Sequence, residues 1–270
     1  MLSFCLLLAG SRTNRTNRHQ ADIILNYKKS TMETKRLLAG RLCLAIGATL
    51  LLFTSCKKNN DSDNEITQDD AADVMVQAVA GDSGGFALQT ETSARVAGRT
   101  PLTCGQTRDT TFSGQSLPGA LITWSYDIQM SRSLTCDNGV PQQFTFNYTG
   151  HNTYDAPRMS SSDNNTVNLI ITGLQPAATG WVINQQYVRN GTQQSKIRQR
   201  RSFSSTLTIT GSNIVVNKTT EKIVSGTATL QFVGQSSTGR SVQYGATLTF
   251  HGNNTGTLVF NNGHTVQLQW

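Results

Sequence analysis

The chain has 270 residues, with 23 Lys and Arg against 16 Asp and Glu, and a formal net charge of +7. Eight of the cations and two of the anions precede Cys56, so the part from Cys56 onward keeps 15 cations and 14 anions, a net of +1. The basic balance belongs to the amino-terminal segment, and it excludes the argument from charge to a nucleic-acid partner.

Three cations, Lys35, Arg36 and Arg41, follow Met32 and precede the apolar run from Leu42 to Phe53. That run is 12 residues long, too short for a bilayer-spanning helix, which needs roughly 20. A positive flank, a short apolar core and small residues before a cut site mark an export signal. The small residues are Thr54 and Ser55, and Cys56 follows. Phe53-Thr54-Ser55-Cys56 resembles the bacterial lipobox, with Phe53 in the place usually taken by Leu. The resemblance implies a lipoprotein precursor with a signal peptide over 32–55 and diacylglycerol on the Cys56 sulfur. Further acylation (palmitate, for example) would follow on its amine. Two or more acyl chains anchor stably, at about 0.8 kcal/mol per buried methylene. Residues 1–31 would make an unusually long positive region, so Met32 is read as the true start and 1–31 as an upstream misassignment.

Residues 56–66 are polar and offer little to bury, which predicts a flexible tether. Acidic residues soon after the cysteine resemble the surface-export signal of Bacteroidota lipoproteins; a plain leash facing the periplasm is the alternative. A short helix is expected over 67–81. Thr67-Gln68-Asp69-Asp70 can cap it, Ala71, Val74, Met75, Ala78 and Val79 recur at helical spacing, and Gly81 suits the stop. Residues 82–100 read as a linker.

From about 101 the period becomes two. Ile122, Trp124, Tyr126, Ile128 and Met130 alternate with polar residues; so do Phe144, Phe146 and Tyr148; Val167, Leu169 and Ile171; Trp181, Ile183 and Tyr187; Val242, Tyr244, Ala246, Leu248 and Phe250; and Val266, Leu268 and Trp270. Such alternation is the habit of antiparallel strands with one dry and one wet face. Turn signals fall at Asn190-Gly191, Gly252-Asn253-Asn254 and Asn262-Gly263, the last read as a two-residue hairpin. The segments 226–232, 245–250 and 256–260 look alike, as diverged repeats or as three successive meander strands. The fold class predicted for 101–270 is a single all-β antiparallel meander, a sandwich or a half-open barrel, with the one short helix packed on it.

With Cys56 acylated, Cys104 and Cys136 remain. An even pair in an oxidising compartment predicts a disulfide closing a loop of about 30 residues and contributing about 3 kcal/mol; two buried thiols are the alternative. Gly81-Asp82-Ser83-Gly84-Gly85 matches the string around the nucleophile of trypsin-like proteases. That chemistry needs a histidine and an aspartate ahead of the serine, and no histidine lies between Cys56 and Ser83. The string reads as a helix stop and a glycine-rich turn. His151, His251 and His264 are far apart in sequence and form no metal motif, although His251 and His264 both lie near expected turns. Lys196, Arg198 and Arg200 alternate, with Arg201 adjacent. This row is a candidate anion-binding site, or a charged edge strand that resists pairing with another molecule. Neither a cofactor nor a metal is expected.

Taken together, the chain over 56–270 resembles uncharacterised Bacteroidota lipoprotein families. The residues that carry the likeness are the lipobox, Ser83-Gly84-Gly85 after the helix, the Cys104/Cys136 pair, the segments 154–161 and 187–191, and the final strands. Asp109-Thr110-Thr111 resembles the O-glycan acceptor pattern of Bacteroidota exported proteins. The resemblance implies outer-membrane localisation, on the periplasmic side or at the cell surface, a β-rich fold and no activity. Three functions follow as expectations. The first is a non-enzymatic binding or structural module, attached to the membrane through its acyl chains, for a glycan, protein or lipid ligand. The second is a periplasmic carrier that cups a hydrophobic ligand in a half-open sheet. The third is an enzyme, which lacks a convergent acid, base or nucleophile.

Overall fold

The computed structural model describes residues 65–80, 84–99, 102–197 and 201–270. Two helices come first, α1 (Gln68–Ala80) and α2 (Phe86–Arg99). Ten strands follow: β1 (Thr107–Gln115), β2 (Thr123–Asp137), β3 (Val140–Asp155), β4 (Met159–Thr172), β5 (Gly180–Ser195), β6 (Ser202–Asn217), β7 (Ile223–Ser236), β8 (Ser241–Gly252), β9 (Thr255–Phe260) and β10 (Thr265–Gln269). They form one antiparallel sheet in sequence order, β1 at one edge and β10 at the other, open between them. The meander is therefore as expected. The sandwich is excluded, because all ten strands belong to one sheet.

The helices lie against the inner face. The structure places Ser93 on Tyr148 of β3 and Thr90 on Gln185 of β5, and Phe86 stacks on Phe250 of β8. Gln68 bonds Asn262 after β9, and Gly84, between the helices, abuts Ile128 and Tyr126 of β2. Strands are spaced about 4.8 Å apart, so β2 to β10 laid flat would span roughly 40 Å. Two helices side by side cover about 20 Å. A sheet that touches both helices from β2 to β10 must curl around them. Its inner apolar side chains, among them Phe146, Leu169, Ile183, Leu207, Leu230 and Leu248, are wholly buried.

The helix expected over 67–81 is α1, and its amino end is a capping box. The Thr67 amide donates to Asp70 Oδ2 at 2.9 Å, and the Asp70 amide donates to Thr67 Oγ1 at 3.3 Å. The tether expected over 56–66 stops short of Ile66, which is 1% exposed and whose carbonyl accepts the Tyr244 hydroxyl at 3.1 Å.

The linker expected over 82–100 is mostly α2. Its sheet-facing side carries Gln89, Thr90, Glu91 and Ser93 beside Phe86, Ala87 and Ala94, and those polar residues broke the apolar period that would have marked a helix. Each has a partner. Thr90 donates to Gln185 Oε1 at 2.6 Å, Gln89 to the Gly84 carbonyl at 2.7 Å, and Glu91 accepts from Lys222 at 2.7 Å and from the Ile223 amide at 3.2 Å. Arg95 and Arg99, one and two turns further along, both reach Glu221. Burial works against the Glu221 carboxylate, and hydrogen bonds from the two arginines outweigh it and hold its pKa below the usual range.

Three turn expectations resolve differently. Gly252-Asn253-Asn254 is the β8–β9 turn, with both asparagines at positive φ, 52° and 58°, the pattern of a tight hairpin. At Asn262-Gly263 the Phe260 amide bonds the His264 carbonyl, so three residues lie in the loop rather than two, with Gly263 at φ +85°. Asn190-Gly191 is no turn and lies within β5. The look-alike segments at 226–232, 245–250 and 256–260 fall in β7, β8 and β9, three successive meander strands.

Candidate functional site

Charge is where this sheet departs from the ordinary. About a quarter of residues in a typical domain are charged. In β4 to β10 the only Asp, Glu, Lys or Arg side chains are Asp163 and Arg189, and both point inward, at 1% and 3% exposure. They form a buried ion pair. Arg189 also donates to Ser161 at 3.0 Å, Gln193 donates to Asp163 Oδ1 at 2.7 Å, and Ser205 donates to Gln193 at 2.8 Å. A buried ion needs such company, because its desolvation costs several kcal/mol. Gly191 makes the room: a Cβ there would stand 2.2 Å from Asp163 Oδ1 and 2.3 Å from the Ser162 carbonyl. That clearance accounts for the glycine read in the sequence as a turn. Tyr187, fully buried beside this network, has its phenol pushed up to about 12 by burial, with Arg189 opposing and Asp163 adding.

The outward side of the same strands is a lattice of Ser, Thr, Asn and Gln with scattered Val. Asn168 bonds Asn147 at 2.8 Å, Thr206 bonds Asn190 at 2.7 Å, and His251, Thr257 and Gln267 form a chain at 2.8 and 2.9 Å. Two shallow grooves, about 690 and 460 Å³, lie toward the β1 edge of the outward side, across β1 to β4 and β1 to β3, with Asp127 lining the first and Asp109 the second. They share Thr111, Gln129 and Thr149 as the ridge between them. Outer side chains two residues apart along a strand stand roughly 7 Å apart, so the ridges and furrows repeat at about that spacing.

One wall of the larger groove is the row Ser113, Asp127, His151, Asn164, brought together by the register. These are the residue types of a serine triad in the wrong order. Asp127 separates Ser113 from His151, and His151 Nδ1 meets Asn164 Oδ1 at 3.1 Å. A nucleophile needs its base within hydrogen-bond reach, and this row instead offers donors and acceptors to solvent.

The residues singled out in the sequence fall as follows. Cys104 and Cys136 are joined in a disulfide, Cα to Cα 5.5 Å, tying the segment before β1 to the end of β2. Lys196 is not on an edge strand: β5 stops at Ser195, β5 and β6 are central, and Lys196 pairs with Asp155. The true edges are β1 and β10. Arg198 and Arg200 lie outside the described residues, as do Cys56, the signal peptide and Ser83. Arg201 lies 3.8 Å from Asp70. His251 and His264 stand at opposite ends of β9 and are not neighbours, and no cluster of three or more His, Cys, Asp or Glu suited to a metal occurs among the described residues. Gly84, at φ +81°, and Gly85 lead directly into α2.

Among the described residues no helix is long and apolar enough to cross a membrane. The chain matches no protein-family model, and no curated protein or solved structure is similar to it.

Proposed function

We propose that the protein is a lipid-anchored lipoprotein of the bacterial cell envelope, held in the outer membrane by acyl chains on Cys56. In this reading it belongs with the uncharacterised lipoproteins of Bacteroidota that its lipobox and cysteine pair resemble. Its β domain is a non-enzymatic binding module whose outer sheet face takes an uncharged glycan.

The observation that carries the ligand class is the confinement of charge in β4 to β10 to one buried pair. The outward side of β4 to β10, unlike that of β1 and β2 with Asp109 and Asp127, has no electrostatic pull on polyanions or on strongly charged partners. Protein interfaces are anchored by buried aromatic residues and Arg, and the outward positions of these strands hold neither. Hydroxyls and amides at lattice spacing suit a polymer that is itself neutral and rich in hydroxyls. Thr, stiff at χ1, loses little freedom when it is contacted. The carrier reading is less well supported, because the concave face is filled: Ala71, Ala72, Val74, Met75 and Phe86 of the helices are all at 0% exposure against it.

Affinity electrophoresis of the purified protein in gels cast with neutral polysaccharides tests the ligand. Retardation is expected, and Thr208→Lys, in the middle of the face, should abolish it. Unchanged mobility across neutral polysaccharides, with retardation by anionic ones, would overturn the glycan reading.

A further inference from the structure

The hairpin between β1 and β2 carries the most exposed large apolar side chains of the described residues. Leu121 is 76% and Leu117 59% exposed. They flank Pro118 and Gly119, and the Ala120 amide bonds the Leu117 carbonyl at 3.2 Å with Gly119 at φ +78°. Pro followed by Gly at positive φ is the signature of a type II turn, so the tip is rigid before it meets anything. Ser116 and Trp124 close its base by two hydrogen bonds, 2.8 and 3.2 Å. Below the tip, half-exposed Trp124 stacks on Tyr126 with ring centroids 5.7 Å apart, and Phe112 meets Tyr126 edge-on at 6.2 Å. No charged residue occurs between Asp109 and Asp127.

We propose that this hairpin is a membrane-docking tip: Leu117 and Leu121 enter the acyl region of the bilayer, and Trp124 and Tyr126 sit at its headgroup boundary. Exposed apolar patches mark interaction sites, and Trp and Tyr prefer the membrane–water interface. The choice of a bilayer over a protein partner rests on the lipid-anchored reading above and on where the chain enters the domain. In a ten-strand meander the β1–β2, β3–β4, β5–β6, β7–β8 and β9–β10 turns all fall at one end. The start of α1 is fastened to that same end, Gln68 to Asn262, Asp73 to Arg158 and the Ile66 carbonyl to Tyr244. Eight residues separate Cys56 from Glu65, a reach of at most about 32 Å over the nine steps. An acylated Cys56 therefore holds this end of the sheet, tip included, near the bilayer. Docked so, the strands stand away from the membrane and the neutral outer face stays open to solvent.

Tryptophan emission reads the docking directly, because Trp181 and Trp270 adjoin turns at the opposite end of the sheet. The acylated full-length protein is placed in phosphatidylethanolamine–phosphatidylglycerol vesicles with and without brominated acyl chains, and intact mass confirms the lipid on Cys56. Bromine should quench the Trp124 emission, because an interfacial Trp lies within reach of the acyl chains, an effect absent from Trp124→Phe. In Leu117→Glu/Leu121→Glu the quenching should be lost, with far-ultraviolet dichroism unchanged. Acylated protein with unquenched Trp124 would overturn the tip and leave the anchor standing, whether a partner protein or a second copy covers the leucines. An unmodified Cys56 would overturn the anchor itself and with it the argument for a bilayer.

Discussion

The two ends of the sheet are built for different purposes. At the end that holds the even-to-odd turns, Cys104 is bonded to Cys136, α2 is pinned to the β6–β7 turn by Glu91–Lys222 and by Arg95 and Arg99 on Glu221, and Trp270 packs edge-on against Phe250. Every one of these is an internal fastening. The other end has the exposed leucine tip, the start of α1 and the buried Asp163–Arg189 network. It keeps polar groups in its interior and apolar groups on its outside, the reverse of what stability alone would select. The contrast sets an end closed by covalent and ionic fastenings against one that, in the proposed reading, meets the membrane.

The sharpest way to break this comparison is to remove the acid of the buried pair. Asp163→Ala leaves the Arg189 guanidinium buried without its counter-ion, and a loss of about 3–5 kcal/mol is expected. Urea denaturation measures it, and a change within error would mean that the network is open to water. At the fastened end, replacing both cysteines by serine should cost about 3 kcal/mol through the freed chain of 32 residues, read as a fall in midpoint with β-sheet dichroism retained. Tyr187 gives a pH test. Its folded pKa is raised from 10.0 to about 12, so its contribution is complete below pH 10 and is lost as pH rises from 10 to 12. Tyr187→Phe should flatten that alkaline decline.

Gly191→Ala, which drives a methyl into Asp163 and the Ser162 carbonyl, should cost about 1–3 kcal/mol; an unaffected Tm would show that β4 and β5 can part at no cost. The smallest expected effect is on the outer lattice, where Thr208→Lys should shift stability by no more than about 0.5 kcal/mol while removing polysaccharide retardation.

Much of the architecture was legible from alternation alone: β2, β3, β4, β5, β8 and β10 each show a run of apolar residues at period two. β1 is hidden because Phe112 is its single apolar side chain, as suits an edge strand exposed at every position but Phe112 and Gly114. β6 is less legible: Phe203, Leu207 and Ile209 hold the period of two, but Ser205, which bonds Gln193, interrupts the row. α2 was hidden by buried polar residues whose partners, Gln185, Tyr148 and Lys222, lie about 55 to 131 positions away along the chain. Asn190-Gly191 misled because a glycine that clears space for a carboxylate looks the same in sequence as one that turns the chain. The neutral outer face could have been counted from the strand sequences, and the tip was visible as Leu-Pro-Gly-Ala-Leu in an uncharged stretch. Neither has meaning until register and meander topology show which side chains share a face and which turns share an end.

The account stands or falls on Cys56. Mass spectrometry of the amino-terminal peptide from the membrane fraction is the direct measurement. The account predicts a mature chain beginning at Cys56 and carrying diacylglycerol, whereas a bare Cys56 or an intact segment upstream of it would contradict it.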